Sequence, residues 1–192
     1  MHTTLRIIRE EHAALAAMLR SILLLLDEHR RRGTMPDFRA LRAMLFYVDE
    51  FPEQRHHRKE STLLFPKLRA RTPLARDVLD KLDEDHACGE MRIRDLEHAL
   101  LGFEMMGDAR RAAFEESARR YVDFYLRHMA VEEQQVLPLA ERVLTEADWA
   151  ELDEAFTGNR DLLGATPDPE YRELYTRIVN LVPAPIGLGA AA

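Results

Sequence analysis

Three histidine–glutamate pairs in this sequence share one spacing: His56 with Glu60, His86 with Glu90, and His128 with Glu132. In a helix the fourth residue on lies about 40° around the axis and about 6 Å along it, so each pair projects both side chains from one face. That is chelating spacing, with imidazole nitrogens and carboxylate oxygens able to converge on one point. His12 stands apart near the N-terminus, and His57 directly follows His56. Nitrogen and oxygen donors without thiolate suit iron first, then manganese or zinc. Carboxylates can bridge two ions while imidazoles cap them. The single cysteine, Cys88, can form no internal disulfide and completes no Cys/His zinc pattern.

Such residues do this only if something positions them, and the pattern around them is helical. Apolar residues recur at three- and four-residue steps with charges between, and no strand-like alternation and no internal repeat of 20–50 residues is evident. The first helix is expected from Thr3 or Thr4 to Arg32, stopped by Gly33 after a cationic last turn. The second runs from near Pro36 towards Leu68, with Pro52 predicted to kink it and Pro66 to mark the fraying of its end. The third runs from around Pro73 to the Gly102–Gly107 region. The fourth starts after Asp108 as N-cap and continues to about Leu144, with Pro138 near its last turns. Short connections make neighbours antiparallel, giving an all-α, up-down-up-down four-helix bundle over residues 1–144. Residues 145–192 are expected to form a C-terminal helical extension packed on the bundle. It would hold a short helix capped by Thr145-Glu-Ala-Asp148, a further helix over 170–181, and an irregular tail from Pro183.

Depth ties the candidate ligands together. Counted from the end where helices 1 and 3 begin and helices 2 and 4 finish, His12, His56, Glu60, His86, His128 and Glu132 all fall in a slab about 12–24 Å in, at about 1.5 Å per residue. An unpartnered ionised carboxylate at that depth is very costly, and a cation supplies the missing charge. His2, His29 and His98 fall off this face and read as ordinary surface or hydrogen-bonded residues. Tyr121 and Tyr125 share the face of His128 and read as core packing, within reach of a ligand at the centre.

The remaining composition narrows the classes of function. The chain has 192 residues, a length for one domain, and 34 acidic against 27 basic side chains for a net charge of −7. That balance disfavours nucleic acid and anionic membrane as partners. The longest aliphatic run, Ile22 to Leu26, is too short to span a bilayer, and Arg6 and Arg9 followed by Glu10 and Glu11 do not read as a secretory signal. A cytoplasmic protein is the expectation. No Gly-rich nucleotide loop or serine-nucleophile motif is present.

The segments Glu11-His12, Phe51-Pro-Glu-Gln-Arg-His-His-Arg-Lys-Glu60 with Leu64-Phe-Pro66, Asp85-His86 with Gly89-Glu90, and His128-Met-Ala-Val-Glu-Glu133 with Leu137-Pro138 resemble the hemerythrin-like HHE cation-binding domain. The resemblance covers about residues 3–144, and the Ala184-Pro-Ile-Gly region is similar to the tail of bacterial members. It implies two iron ions in a non-haem, oxo- or hydroxo-bridged centre. His12, His56, His86 and His128 match its terminal imidazoles, and Glu60 and Glu132 its bridging carboxylates. His57 matches the second histidine of the motif, as a ligand or as a support to the ligands. Glu133 is the alternative to Glu132. Oxygen-carrying hemerythrins have a His-x-x-x-His pair on the third helix, where this chain has His86 and Glu90. Glu90 as an anionic ligand would stabilise the ferric state and weigh against reversible oxygen carriage; pairing of Glu90 with Arg94 is its alternative role. The expected function is a metal-binding protein for oxygen, nitric oxide, peroxide or iron itself, in sensing, storage or protection, served by a separate redox or signalling partner. The competing readings are a di-iron peroxidase-, catalase-like or nitric-oxide-reducing enzyme, and a structural bundle with a vestigial or zinc-filled site.

Overall fold

The computed structural model describes residues 2–158 together with Leu174, Thr176 and Ile178, with backbone alone for residues 51–54. All regular structure among the described residues is helical, and none of those helices is long and apolar enough to cross a membrane. The fold is an all-α four-helix bundle with a helical extension. Helix α1 (Thr3–Arg32) forms the first leg. It ends where Gly33 takes a left-handed conformation (φ 63°, ψ 30°), so that the N–H groups of Gly33 and Thr34 return to the carbonyls of Arg30 and His29.

The second leg is a composite. Helices α2 (Phe38–Val48), α3 (His57–Lys59) and α4 (Phe65–Arg71) are joined by π-helical stretches at Asp49–His56 and Glu60–Leu64. Asp37, the residue after Pro36, caps its start by accepting the Arg39 N–H. Pro52 lies within the first π stretch. Pro66 does not fray the end as expected, because the helix continues to Arg71. A π turn opens at Glu60, whose carbonyl accepts the N–H of Phe65 five residues on, and the widened turn relieves the clash that the Pro66 ring would make in tight α geometry. The fourth leg repeats the device. Helix α6 (Asp108–Val131) passes through a π turn at Glu132–Val136, with Leu137 N–H bonded to the Glu132 carbonyl, into α7 (Leu137–Val143) with Pro138 in its first turn.

The third leg, α5 (Arg76–Met106), is regular from end to end and packs along α6 across the tight turn at Gly107, whose φ of 63° excludes most other residues. Helix α8 (Glu146–Thr157) begins with a capping box between Thr145 and Asp148. It closes the N-terminal end of α1, where Asp153 accepts the backbone N–H groups of Thr3 and Thr4 and the Thr4 hydroxyl, the last two at 2.7 and 2.6 Å. The His2 ring stacks on Trp149 at 4.2 Å, and Arg71 pairs with Asp148 at 2.8 and 3.0 Å. Leu174, Thr176 and Ile178 are helical, within the helix expected at 170–181; the rest of that stretch and the tail from Pro183 lie outside the described residues.

Two apolar clusters fill the bundle. One gathers Leu15, Leu19, Leu41, Leu100 and Phe114. The other gathers Ile8, Phe65, Leu79, Leu137 and Trp149 at the end covered by α8. Between them, at the level counted from the sequence, lies a layer of buried histidine and glutamate. Because Asp153 serves α1 as its N-terminal cap from across the chain, Asp153→Ala should destabilise the protein by about 1 kcal/mol, the usual cost of a lost cap. The shift of the denaturant midpoint at unchanged m-value measures it.

Candidate metal centre

The side chains of His12, His56, His57, Glu60, His128 and Glu132 are each less than 5% exposed, and the His86 side chain is 8% exposed. They face one another from all four legs. The Nε2 atoms of His12 and His56 stand 3.1 Å apart, as do those of His86 and His128. Two neutral imidazole nitrogens can share a contact of that kind only if one lacks its proton, whereas two lone pairs aimed at one cation meet it naturally. Ligands about 2.1 Å from an ion and at right angles to each other lie about 3.0 Å apart.

Glu60 and Glu132 lie between the two imidazole pairs, and each divides its oxygens between them. Glu60 presents Oε1 to His56 at 3.2 Å and Oε2 to His86 at 3.6 Å. Glu132 presents Oε2 to His12 at 3.3 Å and Oε1 to His128 and His86 at 3.5 and 3.8 Å. Among the described residues these four buried oxygens have no hydrogen-bond partner beyond the facing imidazoles. Orphaned acceptors of this kind cost on the order of 1–3 kcal/mol each, and more when charged, so the donor set fits a cation that would engage them. Among the described residues three groups of donors lie close enough to share an ion: His12, His56 and Glu60; Glu60, His86 and Glu132; and His57, His86 and His128.

The outward nitrogens of His12, His56 and His86 are held as well. His12 Nδ1 lies 3.0 Å from Glu133 Oε1, and His56 Nδ1 lies 2.7 Å from Glu11 Oε2. His86 Nδ1 lies 2.8 Å from Ser61 Oγ, which donates to Asp83 Oδ1 at 2.7 Å, and the carboxylate of Asp85 stands 3.7 Å from His128 Nδ1. A carboxylate on Nδ1 keeps the proton there and turns the Nε2 lone pair inward, as metal-binding histidines require. Glu11, Ser61, Asp83 and Asp85 were not singled out as supports from the sequence. The available signal was an acid immediately before His12 and another immediately before His86, each serving the histidine of a neighbouring helix.

The electrostatics follow from burial set against these partners. Burial opposes protonation of His12, but the carboxylates of Glu132 and Glu133 prevail and raise its pKa to about 9. His56 is raised in the same way by Glu60 and Glu11 against its burial. His57 is pushed well below the ordinary histidine value by burial and by the neighbouring imidazoles, and burial also lowers His128. Glu132 is buried, yet His128, His12 and His86 keep it well below the usual carboxylate range.

Spacing left two alternatives open, and the side chains differ in where they lie. Glu132 points into the layer, while Glu133 is 42% exposed and reaches only the outer nitrogen of His12. Glu90 is not part of the cluster: its side chain is 52% exposed and lies 3.4 Å from Arg94. The buried stripe of α5 passes through Leu79, Leu82, Gly89, Ile93 and Leu96, stepping three residues beyond His86 to Gly89, and this leaves Glu90 on the rim. The position that Glu90 was expected to fill beside His86 is taken by His57 of the second leg, whose ring stacks on His86 at 4.1 Å. Tyr125 lies parallel to His57 at 5.6 Å, and its buried hydroxyl has no hydrogen-bond partner among the described residues.

Imidazoles and shared carboxylates from four helices, buried between two apolar clusters, make this a cation-binding bundle. The family model for the hemerythrin HHE cation-binding domain matches residues 3–140, most of the chain, and the protein belongs to that family. No curated protein and no solved structure matches it significantly.

Two outcomes follow from the geometry. Glu132→Ala or His86→Ala should remove most bound metal, while Glu90→Ala and His98→Ala leave it at the wild-type level, as read by elemental analysis after metal loading. The second concerns protons. The folded pKa of His12, about 9, exceeds its unfolded value of 6.5, so its contribution to metal-free stability is complete below 6.5 and lost as the pH rises through about 9. Metal competes for the same nitrogen. Loading at pH 7 should therefore release protons, detectable with an indicator dye in weak buffer, and metal affinity should rise with pH up to about 9.

Proposed function

We propose that this chain holds two iron ions between its helices and uses them to bind a small ligand, dioxygen, nitric oxide or peroxide, in sensing, storage or protection. The observation that carries this reading is the division of the Glu60 and Glu132 oxygens between two opposed imidazole pairs, an arrangement suited to two cations sharing two carboxylates. His12 and His56 would hold one ion, and His86 and His128 the other. Bound iron supplies interconversion between ferrous and ferric states and an open coordination position. The protein supplies the fixed Nε2 orientations, negative charge to offset the cations, and exclusion of bulk water. Burial of every donor limits a ligand at this centre to a few atoms. Glu90, on the surface beside Arg94, adds no anionic donor to the third-helix position.

Tyr125 favours a second reading. Its buried hydroxyl is a proton donor beside His57, and reduction of peroxide or nitric oxide consumes protons. In either case electrons, or the readout of a bound ligand, come from a partner molecule. Anaerobic reconstitution with ferrous iron, followed by rapid mixing with oxygen, peroxide and nitric oxide, tests both readings. Uptake of about two irons per chain with a reversible spectral change on ligand addition supports the binding protein. Repeated turnover of peroxide or nitric oxide with a reductant supports the enzyme. A chain that takes up no iron rejects both.

A further inference from the structure

Away from the centre, helices α2 and α5 frame a half-open groove of about 820 Å³, with Leu174 contributing to one wall. Residues at helical spacing reach it from both sides: Arg39, Arg42 and Phe46 on α2, and Glu97, Leu101 and Glu104 on α5. Its middle is apolar. Leu45 and Leu100 form the floor there, and Phe46 and Leu101 are left 49% and 53% exposed. Met105, one turn beyond Leu101, extends the exposed apolar face.

The two legs run in opposite directions, and this sorts the charges along the groove. Arg39 and Arg42 lie at one end, where Arg39 pairs with Asp37 at 2.9 Å and Arg42 pairs with Glu104. Both arginine side chains remain at least half exposed, and a guanidinium group has more donors than one such pair uses. Glu97 lies at the other end, near Asp49. Burial and Asp49 raise the pKa of Glu97, and Arg94 offsets them only in part. Burial and Glu50 raise Asp49 in the same sense. This end of the groove therefore holds two partly buried carboxylates short of a cation, while the other end holds exposed guanidinium groups.

We propose that the α2/α5 groove is the interface of a two-fold dimer, its occupant being a second copy of this chain. With the two copies antiparallel across the axis, Arg39 of each faces Glu97 of the other, and the exposed Phe46 and Leu101 of each cover the other's apolar floor. A two-fold interface requires this reciprocity, in which residue i meets j and j meets i. Charge order selects this occupant. A partner of one sign meets its own sign at one end of the groove, whereas a second copy presents both signs in reverse order. The charged residues lining the groove also balance, two arginines against two glutamates, so this face of a chain with net charge −7 lets two copies approach without local repulsion. None of these residues belongs to the metal centre, and the inference does not rest on the metal reading.

Sedimentation velocity on the full-length chain over a range of concentrations is the test. The expected result is a reversible rise in mass from one chain to two. Leu101→Glu should weaken association by about tenfold or more, as loss of an apolar contact at the middle of an interface does. Glu97→Arg and Arg39→Glu, each alone, should weaken it similarly, because each sets like charges against each other at both reciprocal contacts. Mixed in equal amounts, these two variants should associate again, since each supplies the charge that the other's contacts lack. Circular dichroism confirms that the variants are folded, and the wild-type measurement stands without them. A wild-type chain that stays monomeric up to about 100 μM, folded single variants that associate as tightly as wild type, or a mixture no tighter than either variant alone overturns the proposal. Saturable uptake of a fluorescent fatty acid by a wholly monomeric chain, lost in Leu101→Glu, overturns it in favour of a small amphiphile as occupant.

Discussion

The structure depends on keeping two carboxylates, Glu60 and Glu132, in the middle of a helical core. Among the described residues neither has a hydrogen-bond partner beyond the facing imidazoles, and both lie between apolar clusters that offer none. Only the imidazoles opposite them, and a cation that those imidazoles would share, offset the cost of burial. The raised pKa values of His12 and His56 express the same constraint in the metal-free chain, where a proton held by this pair stands in for part of the missing positive charge. Carboxylates at Glu11 and Glu133 hold the outer nitrogens of His56 and His12 and turn their inner nitrogens toward the centre.

The backbone is shaped around this layer. The two legs that carry the glutamates are the ones interrupted by π turns, and each turn at a glutamate is followed by a proline that a uniform α-helix would accommodate poorly. A π turn changes the phase of the residues around it. On the second leg His56, His57 and Glu60 are all buried, although adjacent residues of a regular helix point about 100° apart. The regular third leg contributes His86 as its one donor, and its fourth residue on, Glu90, stays in solvent. Helix α8 braces the far end by capping α1 through Asp153 and pairing with Arg71 through Asp148.

Much of the centre was legible in spacing and depth. His12, His56, Glu60, His86, His128 and Glu132 each lie on a predicted helix face at one level of the bundle, and the fold brings all six together. Glu90 shares the same spacing and is not there, because a four-residue step is inward only where the buried stripe takes that step, and on α5 the stripe passes through Gly89 instead. His57 was legible as part of a motif but not in its direction, since its inward orientation goes with the π winding on either side of it. Ser61 and Asp85 were hidden because each faces a histidine on another helix, and Asp83 because it reaches His86 only through Ser61.

By itself, then, the sequence determined the helical class, the four legs and the six donors that periodicity aligns, since these follow from local spacing along single helices. Tertiary structure alone decided that Glu132 rather than Glu133 faces inward, that Glu90 stays in solvent, and that His57 joins His86 and His128. Those outcomes depend on the rotation of each helix about its axis, which is set by π turns and by packing against neighbours. No run of residues on one helix encodes that rotation alone.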